Sequence, residues 1–504
     1  MARPITRLLV ANRGEIALRI VRACRELGIE SVAVCSTADA GAPHVRAADR
    51  AVTIGPPHPR DSYLNAGAII DAARETGADA VHPGYGFLSE DPATAAACAD
   101  AGLAWVGPPA DVIARLGSKI EARRLMQEAG VPIVPGETPA DQTDAGLAAA
   151  ADRVGYPLLL KASAGGGGRG IRTVRAADGL REAIGEARRE SASAFGDGTL
   201  YVERLLVRPR HVEVQIVADE AGRVVHLHER DCSIQRRHQK VVEESPAPGL
   251  TPGVRARLTD AAVSAARAAG YRNAGTVEFL VDGAGDDAAV AFLEMNTRLQ
   301  VEHPITELVT GRDLVHAQLA VAGGAGLPWS QEEIAVRGHA VECRVYAERP
   351  AEGFLPDAGT LLRYREPAGP GIRVDAGVVE GNAVSPAYDA LLAKLVVHGE
   401  TRAQALARAR AALARYIVLG VRTNIGLLSR ILDHPRVVEG PVDTGFLDAE
   451  LDGLLAEDDE GPALALAAAL AVDARLRPDA PEAGPGSPAA ASDPWATLGG
   501  WRLS

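Results

Sequence analysis

Two carboxylates and an amide lie in or at the end of two apolar segments of the sequence and have the chemistry of a magnesium site. Glu294 and Asn296 close one apolar segment, and Glu278 lies within Gly275-Thr-Val-Glu-Phe-Leu280. Residues two apart on a strand share a face, so Glu294 and Asn296 are expected side by side. Such hard oxygen ligands suit Mg²⁺, which a nucleoside triphosphate requires. The alternative for each glutamate is a solvated surface charge. This alternative is less convincing for Glu294, because that residue lies in an apolar strand.

Three more polar residues follow in the same stretch and alternate with apolar ones: Arg298, Gln300 and Glu302. A guanidinium is a planar fork of donors that fits a small oxyanion. Glu302 beside it has the chemistry of a general base if the site sets its pKa suitably. The pattern therefore predicts an anion site with a base, and a plain surface ion pair is the alternative.

A run of four glycines, 165–168, follows Lys161 at the end of a strand-like apolar segment. Ordering such a run costs much backbone entropy, which a ligand that needs bare N–H groups would justify. Polyphosphate is such a ligand, because backbone amides cradle its oxygens while Lys161 and Arg169 offset its charge. A flexible hinge without a ligand is the alternative.

A basic segment and a glycine-containing loop are further candidates. The segment Arg230 to Glu244 is dense in Arg, His and Lys and has no apolar stripe, so it predicts an anion pocket, with a basic surface ribbon as the alternative. The loop His82 to Glu90 follows a predicted strand, where α/β sheets place ligand loops. The glycines of this loop form GxG without continuing to GxGxxG, and no Walker loop occurs in the chain, so phosphate binding must use another scheme.

The bulk composition argues against several function classes. The net charge of −13 disfavours nucleic acid as the main partner and an acidic membrane surface. Five cysteines without a CxxC pair disfavour a disulfide framework and a structural zinc site. No signal peptide and no long apolar span are recognised, so a soluble cytoplasmic protein is expected. The 504 residues predict about two to four domains.

Strand and helix patterns alternate from Arg7 to Val106 and predict a parallel α/β sheet. The predicted strands are Arg7–Ala11, Ser31–Cys35, Ala80–His82 and Ala104–Val106, and the predicted helices are Ile16–Leu27, Ala68–Glu75, Pro92–Ala101 and Lys119–Ala129. From His211 to about Leu447 longer alternating strands favour a larger mixed or antiparallel sheet. Residues 450–473 predict a helix, and 477–494 read as a linker. The last residues either begin a further domain or form a disordered tail.

Five motifs, in this order, resemble the biotin carboxylase component of biotin-dependent carboxylases, within the ATP-grasp superfamily. They are Ala11-Asn-Arg-Gly-Glu-Ile-Ala17, His82–Glu90, Gly165–Gly170, Glu229–Glu244 and Glu294–His303. The resemblance covers about residues 4 to 447. It implies an α/β (α+β) fold with an N-terminal parallel-sheet domain (1–117), an ATP-grasp domain (118–330, lid about 135–204), a C-terminal antiparallel-sheet domain (331–447) and a helical and linker tail (448–504).

By this resemblance the expected reaction is the formation of carboxybiotin from ATP, bicarbonate and biotin through carboxyphosphate, with Mg²⁺ or Mn²⁺. Phosphates would be bound by Lys119, Lys161, His238 and a lid containing Gly165, Gly166, Gly167 and Gly168. The adenine would be held by Glu203, Leu206, His211, Gln235 and Leu280. The metal ligands would be Glu278, Glu294 and Asn296. Bicarbonate would be bound by Lys240, Arg298, Gln300 and the Val301 backbone. Glu302 would deprotonate bicarbonate, Arg344 would stabilise the biotin oxyanion, and Tyr85 would flank biotin.

The resemblance also bears on partners. The segments near Tyr346 and at Ser385–Lys394 look closer to α-subunits of acyl-CoA carboxylases than to the free-standing form. No Ala-Met-Lys-Met-like biotinylation motif occurs, so biotin is expected on a separate carrier or on one missing from this chain. A carboxyltransferase and a homodimer are expected by analogy. Another ATP-grasp carboxylate ligase and a catalytically silent paralogue are the competing hypotheses.

Overall fold

Strands and helices alternate through the first hundred residues of the computed structural model, which describes residues 4–163 and 171–456. The elements are β1 (Arg7–Val10), α1 (Gly14–Leu27), β2 (Glu30–Ser36), α2 (Pro43–Ala47), β3 (Arg50–Gly55), α3 (Ala66–Thr76), β4 (Ala80–His82), α4 (Pro92–Asp100) and β5 (Ala104–Trp105). The strands form a sheet in the order β3-β2-β1-β4-β5, and every pairing in it is parallel. The prediction of a parallel sheet is confirmed, and the predicted bounds differ by at most two residues.

The carboxyl ends of β1 and β4 bring two of the predicted motifs together. Leu8 and Val10 pack into one apolar core and Leu9 into another, because both faces of a parallel sheet are covered. Just beyond β1, the side-chain amide of Asn12 donates to the carbonyl oxygens of Pro83, at 2.6 Å, and Tyr85, at 2.8 Å. One buried amide therefore joins the turn before α1 to the loop after β4.

A small antiparallel sheet follows two connecting helices. The elements are α5 (Ala110–Gly117), α6 (Lys119–Glu128), β6 (Gly136–Glu137), α7 (Asp144–Val154), β7 (Leu158–Ala162), β8 (Ile171–Val174), α8 (Leu180–Phe195) and β9 (Leu200–Arg204). The sheet order is β6-β9-β7-β8. Lys161 on β7 pairs with Ile171 on β8. The predicted glycine lid at 165–168 lies outside the described residues.

The largest sheet is antiparallel throughout, in the order β14-β13-β10-β11-β12-β15-β22-β20. Its strands are β10 (Arg210–Ala218), β11 (Val224–Arg236), β12 (Gln239–Ser245), β13 (Asn273–Asp282), β14 (Ala289–Asn296), β15 (His339–Tyr346), β20 (Ile372–Ala376) and β22 (Leu391–Gly399). The prediction of a larger mixed or antiparallel sheet is therefore confirmed in its antiparallel form. Because β12 pairs with β15, with Val242 opposite Cys343, this sheet continues across residue 330.

Helices and short strands complete the described part of the chain. They are α9 (Pro252–Ala269), α10 (His303–Thr310), α11 (Leu314–Ala322), β16 (Glu348–Arg349), β17 (Leu355–Pro356), β18 (Gly359–Thr360), β19 (Arg363–Arg365), β21 (Ala383–Val384), α12 (Arg402–Leu413), β23 (Ile417–Leu419), α13 (Ile425–Asp433), α14 (Pro435–Glu439) and α15 (Phe446–Ala456). The helix predicted at 450–473 thus begins at Phe446, and its part beyond Ala456, like the predicted linker, lies outside the described residues. Among the described helices, none combines the length and apolarity needed to cross a membrane.

Candidate active site

A cavity of about 800 Å³ opens where the carboxyl ends of β1 and β4 face the large sheet. Its walls come from the turn before α1 and the start of that helix, the loop after β4, the strands β10, β12, β13, β14 and β15, and the segment before β22. The predicted site residues that line it are Tyr85, His211, His238, Lys240, Glu278, Glu294, Asn296, Arg298, Gln300, Val301 and Arg344. Side chains predicted to bind metal, bicarbonate and biotin therefore meet in one place.

The predicted metal ligands lie on two neighbouring strands. Glu278 on β13 is directly opposite Glu294 on β14, and the Asn296 amide donates to Glu278 Oε1 at 2.8 Å. Opposite residues in an antiparallel pair project to the same face. The Glu294 side chain is 43% exposed and lies 3.3 Å from Lys119 Nζ. Two carboxylates and an amide oxygen on one cavity wall fit the hard-ligand preference of Mg²⁺.

Glu278 is ionised in this environment. It lies 2.8 Å from Lys240 Nζ and 3.0 Å from His211 Nε2. Burial raises the pKa of Glu278, but the charges of Lys240 and His211 outweigh burial and hold this pKa below its usual range. The pKa of His211 is raised because the attraction of Glu278 exceeds the opposing effect of burial. An ionised carboxylate is the form that a metal ligand requires.

Glu302 is fully buried between two cations. Its Oε1 accepts a hydrogen bond from Lys240 at 2.6 Å, and its Oε2 accepts one from Arg344 at 2.9 Å. Burial raises the pKa of Glu302, but Lys240 and Arg344 outweigh it, so the pKa stays well below its usual range. Glu302 is therefore an ionised proton acceptor beside two residues that line the cavity. Lys240 also pairs with Glu213, a buried carboxylate that the sequence reasoning missed.

Arg298 is held in place by three side-chain acceptors and by the backbone oxygen of Leu299. Its guanidinium donates to Glu90 Oε2 at 3.0 Å, to Gln300 Oε1 at 2.9 Å and to Asn296 Oδ1 at 2.9 Å. Glu90 ends the predicted loop after β4, so this arginine joins that loop to the end of β14. A guanidinium held in this way keeps its orientation toward a small anion in the cavity.

The residues predicted for the nucleotide are divided between the cavity and its surroundings. His211 and His238 line the cavity, and six others do not: Lys119, Lys161, Glu203, Leu206, Gln235 and Leu280. Lys161 and Arg123 both pair with the buried carboxylate of Glu203. Leu280 lies opposite His211 across β13 and β10, and Gln235 lies opposite Lys240 in the hairpin of β11 and β12. Leu206 follows β9 and is half-buried.

The basic segment Arg230 to Glu244 forms a hairpin that the anion-pocket prediction describes only in part. Arg230 is fully buried against Glu213 and does not line the cavity, so it is not part of an anion pocket there. Because it is buried, it is not part of a basic surface ribbon either. The turn is made by Arg237 and His238 at φ of 49° and 64°. Asparagine and glycine usually occupy such positions, so two side chains held there store strain at the cavity wall.

Several cavity residues were not assigned a role from the sequence. They are Asn12, Arg13, Gly14, Glu15, Ile16, Pro59, Leu64, Gly86, Phe87, Gln239, Tyr346, Ala387, Tyr388, Asp389 and Leu391. Two sequence features could have identified some of them, because the motif Ala11–Ala17 and the segment Ser385–Lys394 were both noted for their family resemblance. Tyr388 bridges them, because the Arg13 guanidinium lies 4.2 Å from its ring centroid. The hydroxyl of Tyr388 donates to Ser36 Oγ at 2.6 Å.

Glu15 gives a pH-dependent prediction. Burial raises its pKa from 4.5 to about 7, against the opposing charge of Lys394. The stability associated with this raised pKa is fully present below about pH 4.5 and is lost as the pH rises through about 7. Glutamine at this position does not titrate. We therefore expect the Tm of Glu15→Gln, relative to the parent, to rise between about pH 5 and about pH 8 in calorimetry. A Tm difference that stays constant would contradict the raised pKa.

Comparison with known proteins gives three consecutive family matches. A biotin carboxylase N-terminal domain model matches residues 4–113, a carbamoyl-phosphate synthase L chain ATP binding domain model matches 118–330, and a biotin carboxylase C-terminal domain model matches 342–449. The biotin carboxylase of Haemophilus influenzae is 48% identical over 448 residues, which are 89% of this chain and 99% of that protein.

A mitochondrial methylcrotonoyl-CoA carboxylase subunit alpha from Oryza sativa is 50% identical over 452 residues, which are 90% of this chain. The chain spans 61% of the length of that relative and 60% of the corresponding protein of Glycine max. Among solved structures, a biotin carboxylase β-γ-ATP complex from Campylobacter jejuni has a TM-score of 0.85 and 42% identity, and covers 88% of this chain and 99% of its own.

The biotin carboxylase domain dimer of Hydrogenobacter thermophilus 2-oxoglutarate carboxylase, in complex with MgADP, ADP and bicarbonate, is equally similar. Its TM-score is 0.85 and its identity is 44%, and the match covers 90% of this chain and 99% of that one. The resemblance found in the sequence motifs therefore extends over the backbone of nearly the whole described part of the chain.

Proposed function

Because the chain belongs to the biotin carboxylase family, we propose that it uses ATP and bicarbonate to carboxylate biotin. The observation that carries this proposal is the position of Glu302, fully buried and ionised between Lys240 and Arg344 beside the cavity. A biotin carboxylase needs a base for bicarbonate and a cation for the biotin oxyanion, and these three residues supply both. The whole protein's activity, substrates and partners stand as parts of the same proposal.

In the proposed reaction Glu302 accepts the proton of bicarbonate, and a bicarbonate oxygen attacks the γ-phosphorus of ATP. ADP leaves, and the resulting carboxyphosphate breaks down to CO₂ and phosphate. That phosphate takes the ureido proton of biotin, whose nitrogen then attacks CO₂. The low pKa of Glu302 keeps it unprotonated at neutral pH, so the acceptor is available before bicarbonate arrives.

Bicarbonate is proposed to lie against Arg298, Gln300, Lys240 and the backbone of Val301. The three side-chain acceptors around Arg298 hold its guanidinium in one orientation, which limits the entropy lost when the anion binds. Arg344 is held by Glu243, with Nε 2.6 Å from Oε1, and lines the cavity. It is therefore preorganised to stabilise negative charge on the biotin oxygen. Tyr85 is proposed to form the wall against biotin.

ATP is proposed to be bound on the side of β7 and β9. Lys119, Lys161 and His238 would offset its phosphate charge, and Glu203, Leu206, His211, Gln235 and Leu280 would surround its adenine. Glu278, Glu294 and Asn296 would hold Mg²⁺, which when bound neutralises phosphate charge. The glycines 165–168 would close over the phosphates and exclude water, which matters because carboxyphosphate hydrolyses readily.

The domain division is proposed as 1–117, 118–330, 331–447 and 448–504, with the lid at about 135–204. Three family matches support the first three parts. The proposed partners are a biotin carboxyl carrier and a carboxyltransferase. A homodimer is proposed as well, because the Hydrogenobacter relative is described as a dimer.

The test is ADP release from the purified chain with MgATP and bicarbonate, with and without free biotin. Strong stimulation by biotin is the expected result. Bicarbonate-dependent release that is indifferent both to biotin and to a biotinylated carrier would favour another ATP-grasp ligase. No release, even with a biotinylated carrier, would contradict the proposed activity and favour a silent paralogue.

A further inference from the structure

Lysine is rare in this chain. Of 53 lysines and arginines, only four are lysines: Lys119, Lys161, Lys240 and Lys394. The first three are already proposed to bind phosphate or bicarbonate. Lysine carries a compact ammonium and arginine a planar fork, so the two are not interchangeable where the geometry is tight. Lys394 is the one lysine for which the proposed reaction gives no role.

Lys394 lies on β22 and is fully buried, without lining the cavity. Its Nζ donates to the carbonyl oxygen of Val301 at 2.8 Å and lies 3.2 Å from Glu15 Oε2. Glu15 in turn accepts a hydrogen bond from the hydroxyl of Tyr85. The ammonium therefore contacts two segments that line the cavity and reaches a third through one carboxylate.

The register of the large sheet explains this position. Lys394 on β22 is directly opposite Arg344 on β15, so the two side chains project to the same face. Arg344 holds the side chain of Glu302, while Lys394 holds the carbonyl of the preceding residue, Val301. Two neighbouring strands thus each supply one cation to consecutive residues of the loop that leads into α10.

We propose that Lys394 is a positioning residue that fixes the peptide between Val301 and Glu302, and with it the bicarbonate site. This inference rests on the proposed function and deepens it. The fixed carbonyl belongs to the peptide unit that joins the backbone proposed to bind bicarbonate to the proposed base. An ammonium fits because a single point donor must reach both a carbonyl and a carboxylate in a closed space.

The competing explanation is that Lys394 only neutralises buried carboxylates. Glu15 is its ion-pair partner, Asp375 lies opposite it on β20, and Glu342 is a further buried carboxylate within its electrostatic reach. Under that explanation, removing Lys394 in addition to the charge of Glu15 would affect stability through Asp375 and Glu342 and leave the bicarbonate affinity unchanged. Under the positioning proposal, the Val301 carbonyl would still lack its donor.

The experiment compares Glu15→Gln with Glu15→Gln/Lys394→Met. The affinity for ¹³C-bicarbonate is measured by NMR in the presence of MgADP, which needs no turnover. We expect the double variant to bind bicarbonate about tenfold more weakly than Glu15→Gln, with MgADP affinity unchanged. If methionine prevents folding, Glu15→Gln/Lys394→Gln replaces it in the comparison, because glutamine removes the ammonium but keeps an N–H donor. This variant is expected to lose less bicarbonate affinity than the methionine variant.

A matched control is Arg402→Met, which removes a cation 2.7 Å from Glu244, a partly buried carboxylate on β12 of the same sheet. It should lower the Tm without weakening bicarbonate binding. Equal bicarbonate affinity in Glu15→Gln and in the Lys394 double variants would overturn the positioning role. The proposed function would still be upheld if the parent enzyme were active with biotin. A parent enzyme that binds bicarbonate but is not stimulated by biotin would overturn the proposed acceptor. The NMR comparison would then still decide whether Lys394 positions the bicarbonate site. A parent without bicarbonate binding would overturn both.

Discussion

Replacing Glu302 by glutamine should lower biotin-dependent ADP formation by about two to four orders of magnitude, the usual contribution of a general base. Glutamine keeps the shape of the side chain, but its one carbonyl oxygen replaces only one of the two acceptors that serve Lys240 and Arg344, and it has no site for the bicarbonate proton. The measurement is steady-state ADP release with saturating MgATP, bicarbonate and biotin. Binding of MgADP should be retained, because the predicted nucleotide residues do not contact Glu302.

The matched control is the same substitution at another fully buried glutamate. Glu229 is 0% exposed and pairs with Arg255 at 2.8 Å, away from the cavity. Glu229→Gln should turn over close to the parent rate and differ mainly in Tm. Biotin-dependent turnover of Glu302→Gln equal to that of Glu229→Gln would remove Glu302 from the role of base.

Replacing Lys240 by methionine should abolish measurable turnover and also destabilise the fold. Lys240 pairs with three buried carboxylates, those of Glu213, Glu278 and Glu302. Removing the common partner of buried charges costs about 3–5 kcal/mol of unfolding free energy. Without it, the pKa values of Glu278 and Glu302 rise, and a protonated Glu302 no longer accepts a proton.

The pH dependence of this loss has a definite sign. In the parent, the lowered pKa values of Glu278 and Glu302 give stability that is present above their unfolded value, about 4.5, and lost as the pH falls. The variant lacks this contribution, so the Tm gap between parent and variant should hold its neutral-pH value down to about pH 4.5 and narrow as the pH falls further. Arg255→Met, which removes the partner of a single buried carboxylate, is the control and should show a smaller gap at neutral pH. A gap that widens toward acid would contradict the assigned charges.

Local sequence patterns predicted the elements of the N-terminal sheet well. The strand Ala80–His82 has the predicted bounds, and the helix predicted from Ile16 begins only two residues earlier, at Gly14. Such segments are short apolar runs or amphipathic stretches, whose periodicity depends on the residues themselves. The same reasoning placed Glu294 and Asn296 on one strand and Glu278 on another. It did not show that Glu278 and Glu294 are directly opposite, because strand register depends on tertiary pairing and on the bulge after Glu278.

The contacts that complete the site join distant parts of the sequence, and local patterns do not specify them. Tyr388 meets Arg13 and Ser36 across more than 350 residues, and Arg19 pairs with Glu307 across 288. Arg230 was misread for a related reason. It begins a segment that is rich in basic residues, but its partner Glu213 lies on the adjacent strand, and the pair is buried together. Alternation along one strand predicts which of its residues share a face of the sheet. The residues of the neighbouring strand determine which charges on that face are paired.

The pairing of β12 with β15 limits where this chain can be cut and which of its parts recombination can exchange. Lys240 and Arg344 come from opposite sides of residue 330, yet their strands are hydrogen-bonded neighbours in one sheet. A chain cut near residue 330 and separated would leave two long strand edges unpaired, each a template for aggregation. The two parts of the proposed site are therefore not modules that recombination can exchange independently. The spacing of their two cations depends on the pairing of β12 and β15 in one backbone sheet.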